Sequence, residues 1–386
     1  MPKSQCKICA SAVSSLPVCK APISGIKCKT LEESLNFPFV DHILLHCNNC
    51  NMVSYKYFDI ASKLLSDMYK SQASTYSLLS GASDYIKKFC QKLVKKYNIK
   101  RDDSVLEIGC NDGELLNEIR SQAKCKVYGI EPSGKFEKIW KARNIKIIND
   151  FFSDNIIGKF SKIDFRIIVF RHVFEHILDP KHFFSIVHKL SNENSIIIIE
   201  VPYLDTIIKN KRYENISYSH LNYFSLRPLK NLANQFGYNL IHFEKADTDG
   251  GSIVVHLSRQ DKEIDITHNA EFSLNDLTFF INNIRHTKNI IHQKLNSFSK
   301  SEIVAYGAGA KGPHLLYLFE LQKYISAVID DNLSFKNNYI AGSDVIIKSP
   351  EHLKDHAIKA VVNFAPTHRE LIKSKVDPKL KFIDLI

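Results

Sequence analysis

Long apolar segments are missing from this sequence of 386 residues. Apolar runs are short, such as the one at 196–199 that ends at Glu200, whereas a membrane-spanning helix needs about 20 such residues. The first ten residues, MPKSQCKICA, also lack the apolar stretch of a signal peptide. We therefore expect a cytoplasmic protein that has no membrane partner.

Repeats, low-complexity segments and blocks of basic residues are absent as well. The chain is nevertheless basic, because its 52 Lys and Arg outnumber its 41 Asp and Glu, which gives a net charge of +11. Positive charge without a basic block favours a small anionic substrate over nucleic acid as the partner. The length predicts two or three domains, because single hydrophobic cores stop growing near about 250–300 residues.

Four regions differ in pattern: a cysteine-rich region at 1–57, a helical linker or lid at 58–100, and two strand–helix regions at 101–260 and 270–386. In the larger strand–helix region, Ile- and Val-rich runs alternate with amphipathic helices and predict five strands of a parallel sheet buried on both faces. The last region repeats the alternation with room for roughly four strands. The predicted fold class is therefore α/β with two doubly wound sheets.

Cysteine spacing predicts a metal site near the N-terminus. Two C-x-x-C pairs supply four candidate ligands: Cys6, Cys9, Cys47 and Cys50. Four thiolates complete a tetrahedral structural Zn²⁺ site and leave no open position for catalysis. Cys19, Cys28 and His46 are substitute ligands, and a redox pair or reduced core thiols are the alternatives. The odd total of nine cysteines argues against a disulfide framework.

A glycine turn between a strand and a helix predicts the first nucleotide-type site. Glu107, Gly109 and Gly113 form the pattern E-x-G-x-x-x-G, in which the helix N-terminus offers free N–H groups. Glu131 ends the next strand, 131 − 109 = 22 residues after the first glycine, where a carboxylate can accept both ribose hydroxyls. With Asn111 inside the turn, this arrangement is typical of S-adenosylmethionine (SAM) binding in class I methyltransferases.

A second glycine-rich loop, GAGAKG at 307–312, follows a strand and opens a helix. With Asp330 and Asp331 at the end of the next strand, it satisfies the fingerprint of NAD-binding domains. Lys311 lies inside this loop, where its charge can meet a phosphate directly. NAD, a nucleotide-sugar phosphate and a purely structural turn therefore remain three interpretations.

Polar residues follow the later strands of the larger sheet, beyond whose carboxyl ends ligands bind. They are His172, His176, Tyr203, Tyr218, His220 and Asn222. Gly251 and Ser252 follow later in a tight turn that we expect to expose backbone N–H groups to a ligand. An imidazole with an ordinary pKa of about 6.5 accepts a proton at neutral pH, which makes His220 the best general-base candidate. The alternative for His220 is a buried structural histidine held by Tyr hydroxyls. His172 and His176 share one face if their segment is helical, and we expect polar contacts rather than metal binding.

A series of motifs, taken in order, resembles the nucleotide-sugar C-methyltransferases, in particular enzymes that place a branch methyl on carbon 3 of TDP-4-keto-6-deoxy sugars. The motifs are the two C-x-x-C pairs, EIGCNDGELL, HVFEHILDP, EVPYL, HLNYFSL, GGS and YGAGAKG. The resemblance implies a zinc-bearing N-terminal lobe, a central SAM domain and a C-terminal Rossmann-like domain. In that family the C-terminal domain helps to hold the nucleotide sugar and does not use NAD.

The resemblance also implies roles for individual residues. His220 matches the family's base, His176 matches a histidine near the sugar, and Tyr69 or Tyr76 matches a tyrosine that approaches it. The implied cofactor-binding residues are Glu107, Gly109, Asn111, Gly113, Glu131 and His172. The implied substrate-binding residues are Tyr203, Asn222, Gly251, Ser252, Lys311 and Asn363, and Tyr218 joins the catalytic set.

The neighbourhood of His220 departs from the family pattern. Where members usually read Y-H-E-H, this chain has Ser217, Tyr218 and Ser219 before His220. We therefore expect a SAM-dependent C-methyltransferase of a nucleotide-linked keto sugar. Methylation at O or N of a nucleotide sugar, a sugar oxidoreductase or epimerase using the C-terminal loop, and a non-catalytic nucleotide-sugar binding protein are the alternatives.

Overall fold

The computed structural model describes residues 5–23, 27–56, 82–248, 250–267, 269, 271–309 and 311–385. None of the helices in these ranges is long and apolar enough to cross a membrane.

The N-terminal region is a small antiparallel sheet. Its elements are β1 (Val13–Pro22), β2 (Lys27–Cys28), α1 (Leu31–Leu35), β3 (Phe39–Cys47) and β4 (Val53–Tyr55). Strands β1 and β3 pair along their length, with an irregularity between Pro17 and Cys19. Strand β4 pairs with β3 and also with β10 (Asn222–Tyr223), which lies in the central region. The N-terminal sheet is therefore joined to the segment that carries His220.

The central region contains a seven-stranded sheet in the order β11-β12-β9-β8-β5-β6-β7. Its strands are β5 (Ser104–Ile108), β6 (Lys126–Ile130), β7 (Lys146–Ile148), β8 (Phe165–Arg171), β9 (Ile196–Pro202), β11 (Asn239–Ala246) and β12 (Ser252–Ser258). Strands β5 to β9 are parallel, in agreement with the five predicted strands. Strands β11 and β12 extend the sheet as an antiparallel hairpin, which the prediction missed because their residues do not form long apolar runs.

Helices cover both faces of the central sheet. They are α2 (Ala82–Tyr97), α3 (Glu114–Ala123), α4 (Glu137–Ala142), α5 (Pro180–Leu190), α6 (Leu204–Lys209) and α7 (Leu226–Gln235). Successive residues of β9 enter different cores: Ile197 packs with one cluster and Ile198 with the other. A strand buried on both faces needs apolar residues at every position, which explains the unbroken run of isoleucines.

The C-terminal region begins with the long helix α8 (Leu274–Leu295) and contains a second sheet. The remaining elements are β13 (Ile303–Tyr306), α9 (Gly312–Leu318), β14 (Ala327–Ile329), β15 (Tyr339–Ile340), β16 (Ile346–Lys348), β17 (Ala360–Asn363), α10 (Arg369–Lys375) and β18 (Lys381–Asp384). The strand order is β18-β17-β13-β14-β16-β15-β2, so the expectation of about four strands was wrong. The short β15 and the distant β2 complete the edge by antiparallel pairing, which local sequence does not reveal.

Candidate active site

The glycine turn after β5 has a backbone conformation, and so little space around it, that a side chain would not fit. Gly109 has φ of 72°, and a Cβ atom there would lie 2.4 Å from Cγ2 of Val173. Gly113, with φ of 77°, caps the start of α3. The Gly109 N–H donates to the carbonyl of Ile130 at 2.8 Å, which fixes the turn against the neighbouring strand. The turn therefore presents the N-terminus of α3 to the edge of the sheet.

Glu131 is held beside this turn by two backbone N–H groups. Its Oε2 accepts from the N–H of Asn111 and its Oε1 from that of Ser133, each at 2.9 Å. Burial nevertheless raises the pKa of Glu131 above its usual value. Each carboxylate oxygen can accept more than one hydrogen bond, so Glu131 can still receive the two hydroxyls of a ribose.

Glu107 lies at the base of the turn and is only 5% exposed. Burial raises its pKa well above the usual value, and its Oε2 has no hydrogen-bond partner among the described residues. A buried acceptor without a donor is rare in native proteins, and it fits a ligand that brings its own N–H or O–H group.

These residues line a cavity of about 490 Å³, a size that suits a nucleoside-type ligand. The polar residues at its wall include Glu107, Asn111, Glu131, Arg171, His172 and His176. Phe151 and Leu178 contribute apolar surface to the same wall. The cavity therefore collects five of the six predicted cofactor-binding residues, and Gly113 caps the adjoining helix.

A buried ionic network lies beside the cavity, at the ends of β8 and β9. Glu200 accepts hydrogen bonds from Arg171 at 2.5 Å, Tyr85 at 3.0 Å and Thr248 at 2.6 Å. Its carboxylate also lies 3.4 Å from Nε2 of His172. Burial alone raises the pKa of Glu200, but the charges and hydrogen bonds of Arg171 and His172 together outweigh it and the pKa falls well below the usual value.

His172 adopts a left-handed backbone conformation, with φ of 51°. It lies outside the short 3₁₀ turn of residues 174–176, so His172 and His176 do not share a helical face as the spacing suggested. Burial alone lowers the pKa of His172, but its bonds to the carboxylates of Glu175 and Glu200 raise the pKa to about 10. His172 is therefore a fixed cation at neutral pH.

Two histidines and a carboxylate meet next to the cavity. The ligand atoms of Glu175, His176 and His220 lie within 4.8 Å of one another. The rings of His176 and His220 are 5.0 Å apart at 65°. Nδ1 of His176 donates to the carbonyl oxygen of Ser219 at 2.6 Å, so in the neutral ring Nε2 is the basic nitrogen. Burial raises the pKa of Glu175, but the charges of His176 and His172 outweigh burial and lower it.

Known proteins similar to this chain support one reading of this site. The family model "Methyltransferase domain" matches residues 80–243, and the model "C-methyltransferase C-terminal domain" matches residues 247–381. The C-methyltransferase NovU of Streptomyces niveus is 24% identical over 341 residues, which are 83% of this chain and 80% of NovU. The chain is a SAM-dependent methyltransferase.

Solved structures similar to this methyltransferase cover about half of it. Magnesium protoporphyrin IX methyltransferase from Synechocystis PCC 6803, with bound SAM, is 13% identical over 51% of this chain and 96% of its own, with a TM-score of 0.38. A SAM-dependent methyltransferase from Geobacter sulfurreducens, in complex with S-adenosyl-L-homocysteine, is 12% identical over 50% of this chain and 97% of its own, with a TM-score of 0.37.

Tyr218 and Asn222, which were predicted to lie near the substrate, contact other residues of the methyltransferase. Tyr218 is fully buried, and its ring packs 5.4 Å from Tyr55 and 5.6 Å from His42. Asn222 donates to the carbonyls of Ile177 at 2.6 Å and Phe174 at 3.2 Å, and its Oδ1 accepts from Lys7 at 3.2 Å. Asn222 therefore fixes the turn that carries His176.

The loop before β12 meets the end of β9. Tyr203 is buried, and its N–H donates to the carbonyl of Gly251 at 3.1 Å. Gly251 has φ of 117°, and a Cβ atom there would lie 2.4 Å from Cγ2 of Thr206. The Ser252 hydroxyl donates to the carbonyl of Thr248 at 3.0 Å. These three predicted substrate residues therefore form one packed junction.

The second glycine-rich loop follows β13 and leads into α9, with Lys311 at the helix N-cap. Asp330 Oδ2 accepts from the N–H of Ala308 at 2.6 Å, so this acid closes the loop itself. The carboxylate of Asp331 accepts hydrogen bonds from the Tyr306 hydroxyl at 3.0 Å and from Lys375. Both acids that an NAD ribose would use therefore have partners within the protein.

Asn363 ends β17 on the neighbouring strand. Its Nδ2 donates to Asp384 at 3.1 Å, and its Oδ1 accepts from the N–H of Ala365 at 3.0 Å. Tyr69 and Tyr76 lie outside the described residues.

The four cysteines of the two C-x-x-C pairs converge in the structure. Sγ of Cys6 lies 3.4 Å from that of Cys50, and Sγ of Cys9 lies 3.5 Å from that of Cys47. All four sulfur atoms lie within 4.8 Å of one another. A tetrahedral ion with Zn–S bonds of about 2.3 Å holds its sulfurs about 3.8 Å apart, so this donor set fits Zn²⁺.

Sequence reasoning missed Glu175, Glu200 and Arg171 as site residues. Each lies at or just after the carboxyl end of β8 or β9, where ligand-contacting residues of such sheets are found. The sequence does contain a signal for such residues, which is a charged residue inside or directly after a strand that is otherwise apolar.

Proposed function

We propose that this methyltransferase transfers the methyl group of SAM to carbon 3 of a nucleotide-linked 4-keto-6-deoxy sugar, with His220 as the general base. The observation that carries the proposal is the group of His176, His220 and Glu175 at the edge of the cavity that contains the glycine turn. The relation to C-methyltransferases supports carbon as the acceptor atom.

Bound SAM supplies an electrophilic methyl group. A carbon acceptor must lose a proton before it can attack, and a neighbouring keto group makes that proton more acidic. The protein must therefore supply a base next to the cavity and donors for the negative charge that develops on the keto oxygen. In this proposal His220 takes the proton and His176 faces the sugar beside it, while Tyr69, which lies outside the described residues, is the candidate donor to the keto oxygen.

Glu175 supports the base. The charge of His220 helps to lower the pKa of Glu175, so the carboxylate stays ionised beside the histidines. An ionised carboxylate stabilises the imidazolium that forms when His220 accepts a proton. In this proposal Glu175 replaces the glutamate that the family usually carries where this chain has Ser219.

The substrate diphosphate meets the C-terminal region in this proposal. Lys311 stands at the N-cap of α9, and the chain carries a net charge of +11, which suits an anionic ligand. Nucleic acid and membranes are not partners in this account. We also propose that Cys6, Cys9, Cys47 and Cys50 hold a structural Zn²⁺, and that the enzyme works in the reducing cytoplasm, because its nine cysteines are all unpaired.

Methylation at an oxygen or nitrogen of the sugar is the second candidate. The hydroxyls of Ser217 and Ser219 bond to each other at 2.8 Å where the family has a tyrosine and a glutamate. An O- or N-acceptor needs no keto group, and this altered neighbourhood is compatible with it.

Isotope exchange separates the two candidates. The enzyme is incubated with TDP-4-keto-6-deoxyglucose in heavy water, without SAM and then with it, and the sugar is analysed by mass spectrometry. We expect deuterium at carbon 3 with the wild type, at least 100-fold slower exchange with His220→Asn, and unchanged exchange with His182→Asn, whose ring is at the surface. A methylated product that still carries a hydrogen or deuterium at carbon 3 would instead establish an O- or N-acceptor, because methylation of carbon 3 replaces that hydrogen.

A further inference from the structure

A second group of metal-ligating side chains shares no residue with the two sites described above, although the ring of His42 packs 5.6 Å from that of Tyr218. Cys19 on β1 and His42 on β3 are direct cross-strand partners, so their side chains stand next to each other on one face of the sheet. His314 reaches the same place from α9 of the C-terminal region. The ligand atoms of the three residues lie within 4.8 Å of one another, and the two rings are 5.3 Å apart.

The two histidines are buried without the partners that buried imidazoles need. His42 is 0% exposed and His314 is 1% exposed. Nε2 of His42 and both ring nitrogens of His314 have no hydrogen-bond partner within the described parts of the chain. Buried polar atoms without a partner are rare and call for an explanation such as an ion.

We propose that Cys19, His42 and His314 bind a Zn²⁺ ion that is separate from the four-cysteine site. One thiolate and two neutral imidazoles form a ligand set that favours zinc over magnesium or calcium. On binding, the Cys19 thiol releases one proton to solvent and its sulfur forms the bond to the ion. Water takes the fourth position of the tetrahedron.

Such an ion links two regions of the chain. Cys19 and His42 belong to the N-terminal sheet, whereas His314 lies in the first turn of α9. Lys311, the proposed diphosphate ligand, is three residues before His314. The ion therefore fixes the start of α9, and with it the glycine-rich loop, against the N-terminal sheet.

Zinc content per chain tests the site. The protein is purified with Zn²⁺ and freed of loosely bound metal, and its zinc content is measured by elemental mass spectrometry. We expect Cys19→Ser and His314→Ala each to lose one zinc per chain relative to the wild type, and Cys28→Ser, a buried cysteine of the same region, to lose none. Equal zinc in the wild type and in both ligand variants would overturn the proposal.

The four-cysteine site is tested separately by Cys47→Ser. Loss of one zinc in that variant alone would support the four-cysteine site and contradict the second one. Loss in both Cys19→Ser and His314→Ala, but not in Cys47→Ser, would do the reverse.

A measurement on the unmodified chain does not depend on the folding of variants. Cys19 is half-buried, and an alkylating reagent marks it when its sulfur is not bound to metal. We expect labelling of the Cys19 peptide to be at least tenfold slower with Zn²⁺ than after a chelator. Equal labelling rates under the two conditions would contradict the site.

Discussion

Glu131 accepts the backbone N–H of Asn111 across the glycine turn, with Oε2 2.9 Å from the nitrogen. The second sheet contains the same arrangement, in which Asp330 accepts the N–H of Ala308 at 2.6 Å. In both sheets the acid at the end of the next strand is oriented by the turn itself. In the proposed SAM site the carboxylate is therefore in position before the ligand binds.

Replacement of Glu131 tests this orientation. We expect Glu131→Gln to weaken SAM binding at least about tenfold, or roughly 1.4 kcal/mol, because the amide offers one acceptor oxygen instead of two. Calorimetric titration with SAM measures the change. Glu137→Gln, a surface carboxylate paired with Lys141, serves as the control and should bind SAM like the wild type. Equal affinity in both variants would remove Glu131 from the site.

The glycine turn should not tolerate a side chain. We expect Gly109→Ala to lower the free energy of unfolding by about 1–3 kcal/mol, because alanine is strained at φ of 72° and its Cβ would clash with Val173. Gly158→Ala is the matched control, since nothing lies within 4 Å of its added Cβ. Urea denaturation measures both variants, and a Gly109→Ala protein as stable as the wild type would contradict this reading of the turn.

The four-cysteine site should stabilise the N-terminal sheet. We expect Cys50→Ser to lose one zinc per chain and to become sensitive to protease near its N-terminus, because a small structural zinc site contributes directly to folding. Cys125→Ser, a buried cysteine of the central region, should keep both its zinc content and its resistance. Unchanged zinc content in Cys50→Ser would rule out this ligand set.

His256 should make the protein sensitive to acid. Burial lowers its pKa to about 3, against about 6.5 in the unfolded chain, and its Nδ1 bonds to Tyr97 at 2.5 Å. Its contribution to stability is therefore complete above about pH 6.5 and is lost as the pH falls towards 3, because only the unfolded chain takes up the proton.

We expect His256→Gln to flatten the dependence of stability on pH between 6.5 and about 4, by up to about 1.4 kcal/mol per pH unit. Denaturant titrations at several pH values measure this slope. The exposed His356→Gln should keep the slope of the wild type. A steep slope retained in His256→Gln would assign the acid sensitivity to other groups.

Local sequence patterns predicted the parts of the fold that local chemistry determines. The run at 196–199 is apolar at every position because both faces of its strand are buried, and runs of this kind identified the five parallel strands. Gly109 and Gly113 marked the turn because their positive φ values require glycine. The convergence of the C-x-x-C pairs likewise followed from their spacing.

Long-range pairing was not predictable in the same way. The two-residue strand Lys27–Cys28 joins a sheet formed by residues about 300 positions later, and nothing in its own sequence specifies that partner. The approach of His314 to His42 depends on how two regions pack, and so does the approach of Glu175 and His176 to His220. Such contacts follow from tertiary structure and not from motif spacing.

The most direct test of the account is the bond that the reaction forms. The enzyme is supplied with SAM carrying a ¹³C-methyl group and with a TDP-4-keto-6-deoxy sugar labelled with ¹³C at carbon 3, and the product is examined by NMR. We predict a one-bond ¹³C–¹³C coupling between the methyl group and the ring, absent with His220→Asn. A methylated product without that coupling would contradict transfer to carbon 3.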